Sequence, residues 1–343
     1  MKIVVLAGGI SPERDVSLVS GMEVYKALKG KGHEVVLLDV YMGWQGDPER
    51  VFDPEIDWAG TFTGIAASAP DIEAVKAARG YDSPSVIGVN VIPVCQQADI
   101  VFLALHGDFG ENGKLQGAFD LLGIRYTGTD SFSSALAMDK AIAKQIFRAN
   151  GVNTPESHLL TDENDPYRPE FPCVVKISNG GSSVGVYIAH DENEYTAAVH
   201  EAFSYEDRVL VEQYIKGREF TDCVIDGQAL PVVEIAPKSG FYDYRNKYQA
   251  DATVETCPAQ IPEETTLRIQ EMARAAYKAL GIRAYARMDF LMDEKGEIFC
   301  LEANTLPGMT PTSLIPQEAA AIGHDFGSLC EWIIRISLEK YGK

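Results

Sequence analysis

The chain is short of positive charge. Its 343 residues include 30 Lys and Arg against 50 Asp and Glu, a formal net charge of -20. Nucleic acid and anionic membrane surfaces are thereby excluded as partners, because both select a basic face. Long apolar runs are missing, and none approaches the ~18 residues needed to cross a bilayer. The opening Met1-Lys2-Ile3-Val4-Val5-Leu6-Ala7-Gly8-Gly9 is too short, and apolar too early, for a signal peptide. It reads as a buried strand ending in a turn. No CxxC pair occurs among the six cysteines, Cys95, Cys173, Cys223, Cys257, Cys300 and Cys330. Several lie in apolar strands, as in Phe171-Pro172-Cys173-Val174-Val175. Buried free thiols in a reducing, cytoplasmic compartment are expected. Two common phosphate-loop signatures are also absent. No Gly-Lys-Ser/Thr opens a helix, and Ile10 and Ser11 follow Gly8-Gly9 where a dinucleotide fingerprint needs further glycines.

What remains is ample material for cores. Hydrophobic residues make up 46% of the chain, mean hydropathy is -0.08, and the length suits two or three domains. Three blocks emerge. Residues 1–128 alternate strand and helix: strands 2–6, 34–39 and 100–105, helices 16–28 and 114–122. This βαβ pattern predicts a mostly parallel sheet. A stretch rich in Gly, Pro, Asp and Ser over 43–97 reads as an insertion on the sheet edge. Residues 129–212 open with one helix, 131–150, closed by Gly151. Strands 158–160, 173–177 and 209–213 follow, with a helix at 192–203. Residues 213–343 carry antiparallel signals at 219–225 and 229–235, then strands 284–292 and 297–304 around the turn Asp293-Glu294-Lys295-Gly296. Helices 263–280 and 326–341 complete a chain of α/β (α+β) class.

Five segments carry polar chemistry. In Arg287-Met288-Asp289 and Glu302-Ala303-Asn304 the polar residues alternate onto one strand face. With a two- or four-residue turn Asp289 falls near Glu302, and hard oxygens beside an amide suit Mg²⁺. A solvated β-ribbon with alternating charge fits the same pattern. Lys176 ends a strand before the glycine-rich run Ser178-Asn179-Gly180-Gly181-Ser182-Ser183-Val184-Gly185, whose N–H groups can close on phosphate. A plain hairpin reads the same way. The strand end Glu212-Gln213-Tyr214-Ile215, with Glu219 beyond, can offer backbone groups to an adenine and a carboxylate to a ribose. In Ser11-Pro12-Glu13-Arg14, Ser11 suits an N-cap and Pro12 the first helical position, so Glu13 is expected in the first turn, either stabilising the macrodipole or facing a ligand. His106, at another strand end, shares that sheet edge. The aromatic segment Phe241-Tyr242-Asp243-Tyr244-Arg245-Asn246-Lys247-Tyr248 reads as a lid or as a loop packed on its own domain.

Together and in this order, these segments resemble the D-alanine–D-alanine ligases of the ATP-grasp superfamily. The resemblance rests on His106-Gly107, Glu111-Asn112-Gly113, Gln116-Gly117, Gly181-Ser182-Ser183-Val184-Gly185, Lys247-Tyr248 and Leu301-Glu302-Ala303-Asn304-Thr305-Leu306-Pro307-Gly308-Met309-Thr310. It covers essentially the whole chain, with 43–97 the least covered. It implies an N-terminal domain and two domains, 129–212 and 213–343, that clasp ATP. It implies two Mg²⁺ (or Mn²⁺) on Asp289, Glu302 and Asn304. Lys140, Lys176 and Lys247 would hold phosphates, Glu212 the adenine amine and Glu219 the ribose. Gln213 and Tyr214 replace the Lys and Trp of many relatives, so with Ile215 they would contact adenine mainly through backbone. Glu13 would pair with the first substrate's ammonium, with Ser182 and Tyr248 linking the lid to it. Arg287 and the Gly308 N–H would stabilise the oxyanion, while Ser313, with Leu314 beside it, would take the second carboxylate and His106 would lie near. The implied activity is synthesis of D-alanyl-D-alanine for peptidoglycan by a cytoplasmic homodimer. D-alanyl-D-lactate or D-alanyl-D-serine synthesis is the alternative; those relatives alter the lid, and Lys247-Tyr248 and Thr312-Ser313-Leu314, intact here, favour D-alanine. An ATP-grasp ligase for another acid, or a non-catalytic nucleotide-binding regulator, completes the field; the full metal set argues against the latter.

Overall fold

The computed structural model describes residues 1–61, 70–181, 185–238 and 252–342. Ser182, Lys247 and Tyr248, with the rest of the aromatic segment 241–248, lie outside the described residues.

The Val- and Ile-rich strand Lys2–Ala7 lies between Glu34–Asp39 and Ile100–Leu103, parallel to both. Buried on both faces, these strands read as continuous apolar runs, as parallel strands do. The helix Arg14–Gly30 covers one face together with Phe326–Leu338, whose Leu329, Cys330, Ile333 and Ile334 join the same core. The insertion begins beside the edge strand Glu34–Asp39, where Gly88 N–H donates to Val40 O at 2.8 Å and Trp44 N–H to Val89 O at 3.0 Å. Its described residues hold only short helices, including Ile72–Ala78 and Val91–Cys95.

A four-stranded antiparallel sheet follows, ordered Ser157–Leu160, Val209–Gln213, Cys173–Ile177, Val186–Ala189. The last sheet is ordered Thr253–Thr256, Val233–Pro237, Gly217–Ile225, Tyr285–Asp293, Ile298–Asn304. The expected strand 229–235 is interrupted: Gln228–Ala229 pairs first and Val233–Pro237 later, with Pro231, which has no N–H for a ladder, between them. All six cysteines are free, and all but Cys257 are fully buried.

The single helix expected over 131–150 is two, Ser131–Met138 and Lys140–Ala149. Asp139 takes extended angles between them, and its carboxylate caps the second helix by accepting Ile142 N–H at 3.1 Å. The same carboxylate accepts the Ser178 hydroxyl at 2.9 Å and pairs with Arg208. These tertiary partners outweigh the propensity of a continuous apolar helix. The break places Lys140 at the head of a new helix, with its N–H on Ser178 O at 3.0 Å.

The hairpin turn also differs from expectation. It has three loop residues, Glu294-Lys295-Gly296, closed by Asp293 N–H to Glu297 O at 2.9 Å, with Gly296 at φ 82°. An odd loop alone would set Leu301 opposite Asp289 and turn Glu302 to the core. Instead a bulge shifts the register between Phe290↔Cys300 and Asp289↔Glu302. Leu301 is the extra residue, and burial along the strand changes phase there: Ile298, Cys300 and Ala303 face the core, Leu301, Glu302 and Asn304 do not.

Candidate active site

Two cavities meet where the sheets converge. The larger, ≈ 480 Å³, lies between the two antiparallel sheets. Lys140, Lys176, Glu212, Gln213, Tyr214, Ile215, Glu219, Asp289 and Glu302 all line it, and Val174, Val186, Ile188, Leu291 and Leu301 give it apolar walls. Apolar walls with few convergent polar groups suit a purine nucleotide. The smaller, ≈ 170 Å³, is lined by Glu13, His106, Arg287, Glu302, Asn304, Gly308, Ser313 and Leu314. Every proposed site residue within the described part of the chain therefore lines one cavity or the other. Gly181 and Glu302 line both.

The helix after the first strand begins at Arg14, so Glu13 is its N-cap rather than a first-turn residue. The Ser11 hydroxyl still accepts Glu13 N–H at 3.3 Å, and donates its own proton to His106 O at 2.9 Å. The Glu13 side chain reaches across the sheet edge, between Gly107 and Gly181. A Cβ on either glycine would come within 2.7 Å of Glu13 Oε2 and would displace the carboxylate from this position. Gly107 also needs its φ of +76°. His106 lines the small cavity, but both ring nitrogens are engaged: Nδ1 with Leu306 O and Nε2 with Ser20 Oγ, each at 2.9 Å.

On the hairpin, Arg287 forks Asp289 with two hydrogen bonds of 2.8 Å. Thr221 Oγ1 donates to Asp289 Oδ1 at 2.7 Å, and Asn304 Nδ2 to Oδ2 at 3.0 Å. Lys140 Nζ reaches Gly180 O at 2.6 Å and Glu302 Oε2 at 3.5 Å. Like charges are thus separated by the protein's own cations. Among the described residues no three His, Cys, Asp or Glu side chains gather as a metal cluster. The donor set nonetheless fits a hard cation that shares its shell with phosphate. It has two carboxylates directly paired across strands, and the Asn304 amide, its NH₂ turned to Asp289, keeps its oxygen for a ligand.

Two residues given no site role from the sequence, Lys144 and Glu111, belong to the site. Glu212 is fully buried and clamped, with Lys144 Nζ at 2.9 Å from Oε1 and Lys176 Nζ at 2.9 Å from Oε2. Its pKa is lowered: burial alone would raise it, but the two lysines overcome that. Burial lowers the Lys144 ammonium to about 8, despite Glu212. The signal was present, because Lys140 and Lys144 stand four apart and share a helix face. Glu111 lines the small cavity and accepts N–H groups from Gly107 at 3.0 Å and Leu306 at 2.9 Å. Desolvation, with the nearby Glu13 charge, pushes its carboxyl up to about 8.

Family models for the D-ala D-ala ligase N-terminus and C-terminus match residues 2–129 and 146–335. A D-alanine–D-alanine ligase of Pediococcus pentosaceus is 40% identical over 341 residues, covering 97% of each chain. The crystal structure of a Bacillus anthracis D-alanine–D-alanine ligase complexed with ATP aligns at TM-score 0.76 and 32% identity, covering 99% of this chain and 97% of that one. A D-Ala:D-Ser ligase from Enterococcus faecalis aligns at 0.73 and 30%, covering 98% and 99%. The chain belongs to the D-alanine–D-alanine ligase family, ATP-dependent carboxylate–amine ligases of the ATP-grasp fold.

Proposed function

We propose that this chain joins two D-alanine molecules into D-alanyl-D-alanine for peptidoglycan precursor synthesis, converting ATP to ADP and phosphate. The observation that carries the reading is Glu302, shared by a nucleotide-sized cleft and a small acidic cavity. A carboxylate held in the small cavity has its route to a γ-phosphate through that shared wall.

The first D-alanine, its ammonium on Glu13, attacks the γ-phosphorus with a carboxylate oxygen, giving the acyl phosphate and ADP. The second D-alanine, its carboxylate on Ser313 beside Leu314 with His106 nearby, attacks the acyl carbon with its deprotonated amine. Arg287 and the Gly308 N–H stabilise the oxyanion, and phosphate departs as the C–O bond breaks. Lys140, Lys176 and Lys247 hold phosphates. Glu212, Gln213, Tyr214 and Ile215 border the adenine, and Glu219 takes the ribose. Asp289, Glu302 and Asn304 would hold two Mg²⁺, or Mn²⁺, whose charge would offset that of the transferring phosphoryl group. Ser182 and Tyr248 tie the lid to Glu13. Intact Lys247-Tyr248 supports D-alanine, rather than D-lactate or D-serine, as the second substrate. The same reading has three domains, 1–128, 129–212 and 213–343, in a cytoplasmic homodimer. No helix of the described residues is long and apolar enough to cross a membrane.

Phosphate release on mixing the protein with ATP, Mg²⁺ and D-alanine, with the dipeptide identified by mass spectrometry, tests the reading. L-alanine should fail; equal turnover with both enantiomers would overturn it.

A further inference from the structure

The strand Ile298–Asn304 ends before the loop that carries Gly308. Regular structure therefore does not aim the Gly308 N–H. Hydrogen bonds from the other half of the chain do reach its neighbours. His106 Nδ1 lies 2.9 Å from Leu306 O, His106 Nε2 lies 2.9 Å from Ser20 Oγ, and Met309 N–H donates to Ser20 Oγ at 3.2 Å. A carbonyl oxygen only accepts, so the ring carries its proton on Nδ1. Burial lowers the pKa of His106, which keeps the imidazole neutral. Nε2 is then a bare acceptor, and the Ser20 hydroxyl can donate only to it while accepting from Met309. Donor directions thus run unbroken from Met309 N–H through Ser20 and His106 to Leu306 C=O. The relay leaves the loop at Met309 and returns at Leu306, spanning Pro307 and Gly308. Ser20 is 0% exposed, His106 5%, Leu306 2% and Met309 1%, so water does not compete for these bonds.

We infer that Ser20 is a positioning residue which, through His106, closes the Leu306–Met309 loop and aims the Gly308 N–H at the developing oxyanion. Ser20 touches no substrate; it acts through the loop. The inference rests on the proposed ligase reaction.

The test compares Ser20→Ala with Ser17→Ala. Ser17 is an equally buried serine one turn away, bonded to Gly8 N–H and Ala104 O and not to this loop. Each variant is assayed for kcat, for KM of ATP and D-alanine, and for inhibition by a phosphinate dipeptide, a stable mimic of the tetrahedral intermediate. Ser20→Ala should lower kcat roughly 10- to 100-fold with KM for ATP within about 2-fold, as loss of an aimed oxyanion donor does. The phosphinate inhibition constant should rise by the same factor as kcat/KM falls, which a general loss of packing would not produce. Ser17→Ala should keep near-normal kcat. Ser20→Cys fills the same space with a weak donor, so it still tests the relay if Ser20→Ala does not fold. Normal kcat in Ser20→Ala, an unmoved phosphinate constant, or an equal loss in Ser17→Ala would overturn the inference. A wild type that releases no phosphate with D-alanine would instead overturn the ligase reading.

Discussion

Asp289 stands directly across the sheet from Glu302 because Leu301 bulges out of the strand between them and the turn. The three-residue loop sets one parity and the bulge resets it, so both carboxylates reach the same cleft.

Replacing Glu302 with Gln should therefore abolish turnover while the fold persists, since the side chain lies on the cleft wall and not in the core. Loss of this charge should lower kcat on the order of 10²- to 10³-fold. Deleting Leu301 should be far milder, because the strand then runs regularly and still sets Glu302 opposite Asp289. It removes only an apolar wall of the nucleotide cleft, raising KM for ATP. Steady-state kinetics on both variants checks this; near-normal activity of Glu302→Gln at saturating Mg²⁺ would show that the hairpin is not the metal site.

Lys144 should matter to ATP affinity without touching ATP. Glu212 is shared by two lysines, so Lys176 keeps charge to spare for phosphate. In Lys144→Met, Glu212 would belong to Lys176 alone, and KM for ATP should rise about 10-fold or more, the equivalent of ~1.4 kcal/mol. Because the Lys144 ammonium is lowered to about 8, the wild-type KM for ATP should also climb above that pH, and the variant's should not. Parallel pH profiles for the two proteins would refute the idea.

Glu111 gives a pH signature in stability. Its carboxyl is raised to about 8 from the ordinary 4.5. A raised folded pKa means that the native state holds a proton the unfolded chain has released. Its contribution is full below pH 4.5 and is lost as pH rises toward 8. Glu111→Gln cannot titrate. Wild-type stability minus that of the variant should fall by about 1–3 kcal/mol between pH 5 and 8, less than full linkage because the site borders a cavity. Urea denaturation of both proteins across that range measures it. A flat difference would mean that Glu111 ionises normally.

Tyr248 lies outside the described residues, and its role rests on the sequence together with Glu13, which reaches Gly181 beside Ser182. Tyr248→Phe should keep ATP use but let D-lactate compete with D-alanine as acceptor. If Tyr248 joins Glu13 and Ser182 as proposed, losing its hydroxyl costs about 1–3 kcal/mol and alters local charge balance. An amine must shed a proton before attack, whereas a hydroxy acid arrives neutral. The ratio of depsipeptide to dipeptide from an equimolar mixture should exceed wild type most near pH 6, where amines are protonated, and least near about pH 9. An unchanged ratio would remove Tyr248 from the active site.

Much of this protein is legible from its residues in order. The apolar runs at Lys2–Ala7 and Ile100–Leu103 specify buried parallel strands, and side-chain alternation groups Arg287 with Asp289 and Glu302 with Asn304. Motif order carries the family. These features are local, or depend on spacing alone. Other features belong to the tertiary structure. Asp139 breaks a helix that local propensity would continue, because Ser178 and Arg208, distant in sequence, bind its carboxylate. The Leu301 bulge is invisible in the alternation because it is decided by which face the core fills. Lys144 looks like a surface lysine until Val209–Gln213 brings Glu212 beside it. Ser20 and Met309 are 289 residues apart, and no spacing rule joins them. Sequence sets which face of an element is apolar. Only packing decides which polar groups are left to one another once water is gone.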